Sequence, residues 1–78
     1  MSSIKKDFRG IKCPVNFAKT KLVLANMKDG DILELLIDDG SAIKNLPGSV
    51  EKEGHEVLSR EPIGDGGWKI IIKKWDFL

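Results

Sequence analysis

The sequence predicts an α/β (α+β) two-layer sandwich of order βαβαββ, with two helices on one face of a four-stranded mixed sheet. Three observations predict it. Short apolar runs at residues 31–37 and 68–74 are bounded by turn residues and are too short to be helices. Two intervening segments carry apolar residues at helical spacing. Gly64-Asp65-Gly66-Gly67 separates the last two runs with a hairpin signal. At 78 residues the chain suits one domain, residues 1–78, with a thin core and no large internal cavity.

The elements follow in order. Residues 3–8 are the first expected strand, and Arg9-Gly10-Ile11-Lys12 is a loop in which Gly10 permits a tight backbone path. A helix follows Cys13. Pro14 suits its first position, where a missing N–H costs nothing, and residues 15–27 hold no Pro or Gly. Lys28-Asp29-Gly30 closes it, with a cation in the last turn and a glycine beyond. Residues 31–37, broken only by Glu34, are the second strand. Asp38-Asp39-Gly40-Ser41 is a turn in which Asp39 or Ser41 can cap a second helix. Ile43, Leu46 and Val50 share one face of that helix, Pro47 bends it or opens its second half, and Gly54 closes it. Residues 55–63 and 68–74 are the third and fourth strands.

Composition narrows the function classes. The chain is 41% hydrophobic and 32% charged, as suits a globular domain rather than a disordered tail. No apolar run approaches the roughly 20 residues a membrane span needs, so no membrane partner is expected. The lysines of the first six residues lack an apolar stretch behind them, so no secretory signal is expected there. A net charge of +1, with neither a basic Gly-rich clamp nor an aromatic base-stacking strand, argues against direct nucleic-acid binding. The charge is unevenly spread: residues 1–28 hold seven Lys/Arg against Asp7 alone, whereas residues 29–65 hold ten Asp/Glu against three cations.

Chemistry concentrates at Cys13, in the basic third. A single cysteine permits no internal disulfide and fits a reducing compartment, the cytoplasm. The thiolate is the reactive form, and a helix N-terminus favours it through unpaired N–H groups and a partial charge of roughly +0.5. Arg9, Lys12 and Lys19 lie near in sequence. The competing reading is a small buried hydrophobe. His55, the single histidine, suggests a thiol hydrolase dyad with Cys13, but no third member accompanies it, and a structural role is preferred. Cys13, His55 and Asp38-Asp39 lack metal-ligand spacing, so neither a metal nor a cofactor is expected.

The first helix carries two apolar stripes. One is Phe17, Thr20, Leu24 and Met27, flanked by Val23; the other is Val15, Ala18, Leu22 and Ala25. A helix on a two-layer sandwich buries one face fully, so either one stripe is exposed or a broad face is buried with Lys21 snorkelling between them. Lys19, Lys21 and Lys28 are a solvated face or a patch for an acidic partner.

Asp7-Phe8-Arg9-Gly10-Ile11-Lys12-Cys13-Pro14 resembles the signature of the TusA/SirA family, Asp-x-Arg-Gly-x-x-Cys-Pro-x-Pro. Gly30-Asp31, Asp38-Asp39, Asn45-Leu46-Pro47, Gly54-His55-Glu56-Val57 and the last strand resemble later landmarks of that family at matching spacing. The resemblance implies the βαβαββ sandwich, the Phe17 stripe as core, and a sulfur carrier in which Cys13 holds sulfane sulfur as a persulfide. Asp7, Arg9 and Gly10 inherit the loop positions and Pro14 the helix start. The implied partners are a sulfur donor such as a cysteine desulfurase, a downstream sulfur acceptor and, weakly, a second copy of the chain. Lys12, Lys19, Lys21, Val15 and Leu22 are the docking candidates. Transfer-RNA thiolation, molybdenum-cofactor work and other sulfur or selenium metabolism all fit this chemistry; the alternatives are a non-catalytic regulatory or protein-interaction module of the same fold and, less favoured, a small RNA-binding domain.

One position departs from the signature. Asn16 replaces its second proline. Asn16 is expected within a turn of the sulfur, in reach of a partner, with a first-turn N–H that lacks an acceptor, so that proline would be tolerated there.

Overall fold

Residues 3–12 and 14–75 are described by the computed structural model, so Cys13 lies outside the described residues. All six predicted elements form: β1 (Ser3–Asp7), α1 (Val15–Ala25), β2 (Ile32–Asp38), α2 (Ser41–Lys52), β3 (Glu56–Gly64) and β4 (Gly67–Lys73). The strands lie in the order β1-β2-β4-β3. The α1 crossover makes β1 parallel to β2, while β4 runs antiparallel to both β2 and β3, so the sheet is mixed. No helix is long and apolar enough to cross a membrane among the described residues.

Alternation along the strands gives the sheet one buried face. Leu33, Leu35 and Ile37 of β2 stand opposite Ile72, Ile70 and Trp68 of β4. Leu24 and Met27, in and just after α1, and Ala42, Leu46 and Val50 from α2 cover them. Each large aliphatic side chain buried here contributes about 1.5–3 kcal/mol relative to exposure. Thr20, Leu24 and Met27 are buried, and Phe17 and Val23 pack against the core. The Val15 stripe faces solvent, with Val15 52% and Leu22 66% exposed. The two-stripe question therefore resolves in favour of the Phe17 face.

The β3–β4 hairpin turns on Asp65 and Gly66, both at positive φ (50° and 73°), as a two-residue type I′ turn requires. Pro47 does not divide α2, which runs unbroken through it. Gly40 occupies the N-cap of α2 with no side-chain cap bond, so neither Asp39 nor Ser41 plays that part. Asp39 instead bonds Trp68 Nε1 at 3.1 Å.

Both ends of α1 differ from expectation. Pro14 is the N-cap rather than the first helical residue. The helix stops at Ala25, because Asn26 N and Met27 N donate to Val23 O and Leu24 O, each at 3.1 Å, and these i→i−3 bonds tighten the last turn. Lys28 is not the cation at this end. Lys74, buried beyond β4 and fifty residues on, donates from Nζ to Leu24 O, while its backbone N–H donates to Asp31 O at 2.8 Å. Gly30 turns the chain into β2 and donates to Lys74 O at 2.7 Å.

The end of α1 is thus tied to the end of the sheet through one residue, with a cation where the helix dipole favours it. Lys74→Met keeps the aliphatic stem and removes the charged donor. It should lower stability by about 1–3 kcal/mol in urea denaturation; an unchanged midpoint would show that the tie adds nothing.

Candidate functional site

The site is built where the chain leaves β1. Phe8 N donates to Leu36 O at 2.8 Å, carrying the ladder one residue beyond the strand, and Ile11 N returns to Phe8 O at 3.2 Å to close a turn. Gly10, at φ 83°, makes that turn without strain. Its N–H donates to Asp38 Oδ2 at 2.7 Å, pinning the loop to the end of β2. Asp38, expected only as part of a turn, is therefore a loop-holding residue. A strand-end carboxylate and an exposed loop N–H in separate segments carry no sequence pattern that pairs them.

Asp7 and Arg9 form a clasp across this turn. Arg9 donates to Asp7 Oδ1 from its backbone N (3.0 Å) and from Nε (2.9 Å), and to Oδ2 from its terminal nitrogen (2.7 Å). The Arg9 side-chain bonds, followed by its backbone N–H, hold the Asp7 carboxyl down at about 2. Asp7 in turn raises Arg9, helped by the charges of Asp65 and Asp38. The aliphatic stem of Arg9 lies over Gly67, where an added Cβ would sit 3.3 Å from Arg9 Cδ and 3.2 Å from Ile63. The β1–α1 loop, the β2–α2 turn and the β3–β4 hairpin thus meet at one end of the sheet. A cavity of about 290 Å³ opens there, lined by Ile11, Lys12, Asp38, Asp39, Ser41 and Ala42. The N-termini of both helices face this end, and α1 has neither a side-chain cap nor an acidic residue in its first turn.

The sequence candidates divide accordingly. Asp7, Arg9, Gly10 and Lys12 gather at this end, and Pro14 and Val15 begin the helix beside it. Lys19 has no ion pair among the described residues, whereas Lys21 pairs with Glu53 at 3.1 Å and lies over the Phe17 ring. Leu22 stands two turns along α1 from Val15. His55 lies at the opposite end of the sheet, where its Nδ1 accepts the Trp75 backbone N–H at 3.2 Å, a structural role. Cys13 itself lies outside the described residues.

Asn16 corrects its expectation twice. It is fully buried rather than in reach of a partner, on the face it shares with Thr20 and Leu24. Its backbone N–H donates to Lys12 O at 3.1 Å, so proline would lose a bond there rather than leave an idle group. Neither its side-chain Oδ1 nor its Nδ2 has a partner among the described residues, and each buried orphan costs about 1–3 kcal/mol.

Two expectations follow. Asn16→Val removes both orphans while keeping the backbone bond, and should stabilise the fold by about 1 kcal/mol in chemical denaturation; a loss of stability would mean that the amide has a partner in solution. For Asp7, the depressed carboxyl fixes the sign. The clasp contributes fully above the ordinary value of 3.8, and its contribution disappears as pH falls through about 2. A carboxylate NMR titration should place the Asp7 midpoint near 2, and Asp7→Asn should remove that part of the acid limb of the stability curve.

Comparison with known proteins fits this geometry. The family model described as Sulfurtransferase TusA matches residues 4–74. A relative from Archaeoglobus fulgidus, named "Putative sulfur carrier protein", is 53% identical over 68 residues, covering 87% of this chain and 77% of its own length. One from Thermotoga maritima with the same name is 49% identical over 67 residues, covering 86% and 85%. Among solved structures, a SirA-like protein from Desulfitobacterium hafniense superposes with a TM-score of 0.77 over 97% of this chain and 100% of its own, at 23% identity, which shows the shared fold. The match spans the loop before Cys13 and the helix start after it, and the chain belongs to the TusA sulfurtransferase family.

Proposed function

We propose that this chain relays sulfane sulfur as a persulfide on Cys13. The observation that carries the reading is the setting of the residues on either side of it. Lys12 leaves a loop held by the Asp7–Arg9 clasp and the Gly10–Asp38 bond, and Pro14 begins a helix whose N-terminus has no side-chain cap among the described residues. A helix N-terminus with no side-chain cap and no acidic residue in its first turn leaves its partial positive charge unopposed, which favours an anionic sulfur, whether thiolate or persulfide.

The exchange is balanced without a cofactor. The Cys13 thiolate attacks the outer sulfur of a donor persulfide, the donor S–S bond breaks, and the donor leaves as a thiolate with the electron pair. Delivery repeats the step, with an acceptor thiolate attacking the outer sulfur on Cys13. The sulfane sulfur keeps its oxidation level throughout. A cysteine desulfurase fits as donor, and the free thiol calls for a reducing compartment such as the cytoplasm. Val15 and Leu22 offer the apolar part of a docking face, and Lys12 and Lys19 its cations, while Glu53 already neutralises Lys21.

Incubation with a cysteine desulfurase and cysteine should add the mass of one sulfur atom, removable by reductant. Cys13→Ser should gain none. Equal gain by Cys13→Ser would assign the chemistry elsewhere.

A further inference from the structure

The sheet has two outer strands, and they are not equally protected. β3 carries Pro62, and its pairing with β4 shifts register twice, between Val57 and Ser59 and between Pro62 and Gly64. Such irregularity blocks addition of a further strand. β1 pairs with β2 through five consecutive residues with no shift, and no described strand pairs with its other edge. Beside that edge runs a mostly apolar groove of about 290 Å³, lined by Ile4, Lys6, Leu22, Val23 and Asn26. Its floor is β1 and its wall is α1.

The chemistry of the groove selects its occupant. Ile4 stands in register with core residue Leu33 and Lys6 with Leu35, so both belong to the helix-covered face of β1, two residues apart. Lys6 has no ion pair among the described residues, and Leu22 is the most exposed large apolar side chain described. A second copy pairing antiparallel about the middle of this edge would set Lys5 or Lys6, according to register, directly against its own equivalent, and like charges directly opposite are destabilising. An acidic strand meets no such repulsion. We infer that the β1 edge takes an extended segment of a partner protein as an added strand, with an apolar side chain entering between Ile4, Leu22 and Val23 and a carboxylate two residues away on Lys6. Main-chain bonds supply the affinity in this mode, and the two alternate side chains supply the choice of partner.

The probe is the peptide acetyl-Thr-Glu-Thr-Leu-Thr-Glu-Thr-amide, which places a carboxylate two residues from the leucine in either strand direction. Titrated into the full chain, it should shift the backbone amide resonances of residues 3–7 together with Leu22, Val23 and Asn26. Lys6→Glu, an exposed change that should leave the melting temperature unchanged, should weaken binding about tenfold, and a peptide with lysines in place of both glutamates should recover about that factor on the variant. Methylating the leucine and threonine backbone nitrogens should abolish binding. Shifts confined to other residues, indifference to Lys6→Glu, or movement of the same amides with protein concentration alone would each overturn the proposal. The assay reads binding without sulfur transfer. Equal binding by Cys13→Ser keeps its outcome separate from that of the persulfide reading.

Discussion

Period-two burial along β2 governs where the rest of the molecule can go. Leu33, Leu35 and Ile37 are wholly buried, and β2 is flanked by β1 on one side and β4 on the other. A slip of one residue would turn all three to the uncovered face and bring Glu34 and Leu36 inward. The register is therefore fixed by the core, and with it the position of the next residue after Ile37. Asp38 ends the strand where its carboxylate meets Gly10 N–H. Packing in the core thus sets a hydrogen bond at the surface.

That bond and the Asp7–Arg9 clasp divide the labour at the loop. The clasp is local, spanning two residues, and gives the turn its shape. The bond to Asp38 is long-range and fixes where the shaped turn sits. Arg9 adds a third restraint by lying over Gly67, which can be only glycine without displacing Ile63 or Arg9. The chain is thus restrained immediately before Cys13 by backbone and charged contacts, while α1 begins after it with no side-chain cap among the described residues.

Local pattern made most of this legible from sequence. Strand alternation, glycine turns and the Asp-Gly hairpin each act within a few residues, and all six elements appear within a residue or two of their expected limits. What escaped is non-local. The cation at the end of α1 comes from Lys74 rather than Lys28, and Asp38 serves the loop rather than α2. Asn16 escaped for a different reason. A polar residue at a helix start reads as exposed, yet Asn16, Thr20 and Leu24 recur every four residues on the inward face. The proline of the family signature would present only carbon at this buried position. Asn16 keeps a backbone bond that proline cannot make, and leaves two polar atoms unmatched among the described residues.

The loop's dependence on distant residues also bears on how the protein comes into being. Gly10 waits on a carboxylate twenty-eight positions later, and Arg9 rests on a glycine in β4. A chain emerging from the ribosome therefore exposes its cysteine well before the surrounding scaffold exists. Until β4 has been synthesised and docked, the loop before that cysteine lacks one of its three restraints, so a fragment ending before Gly67 cannot hold the loop as the folded chain does.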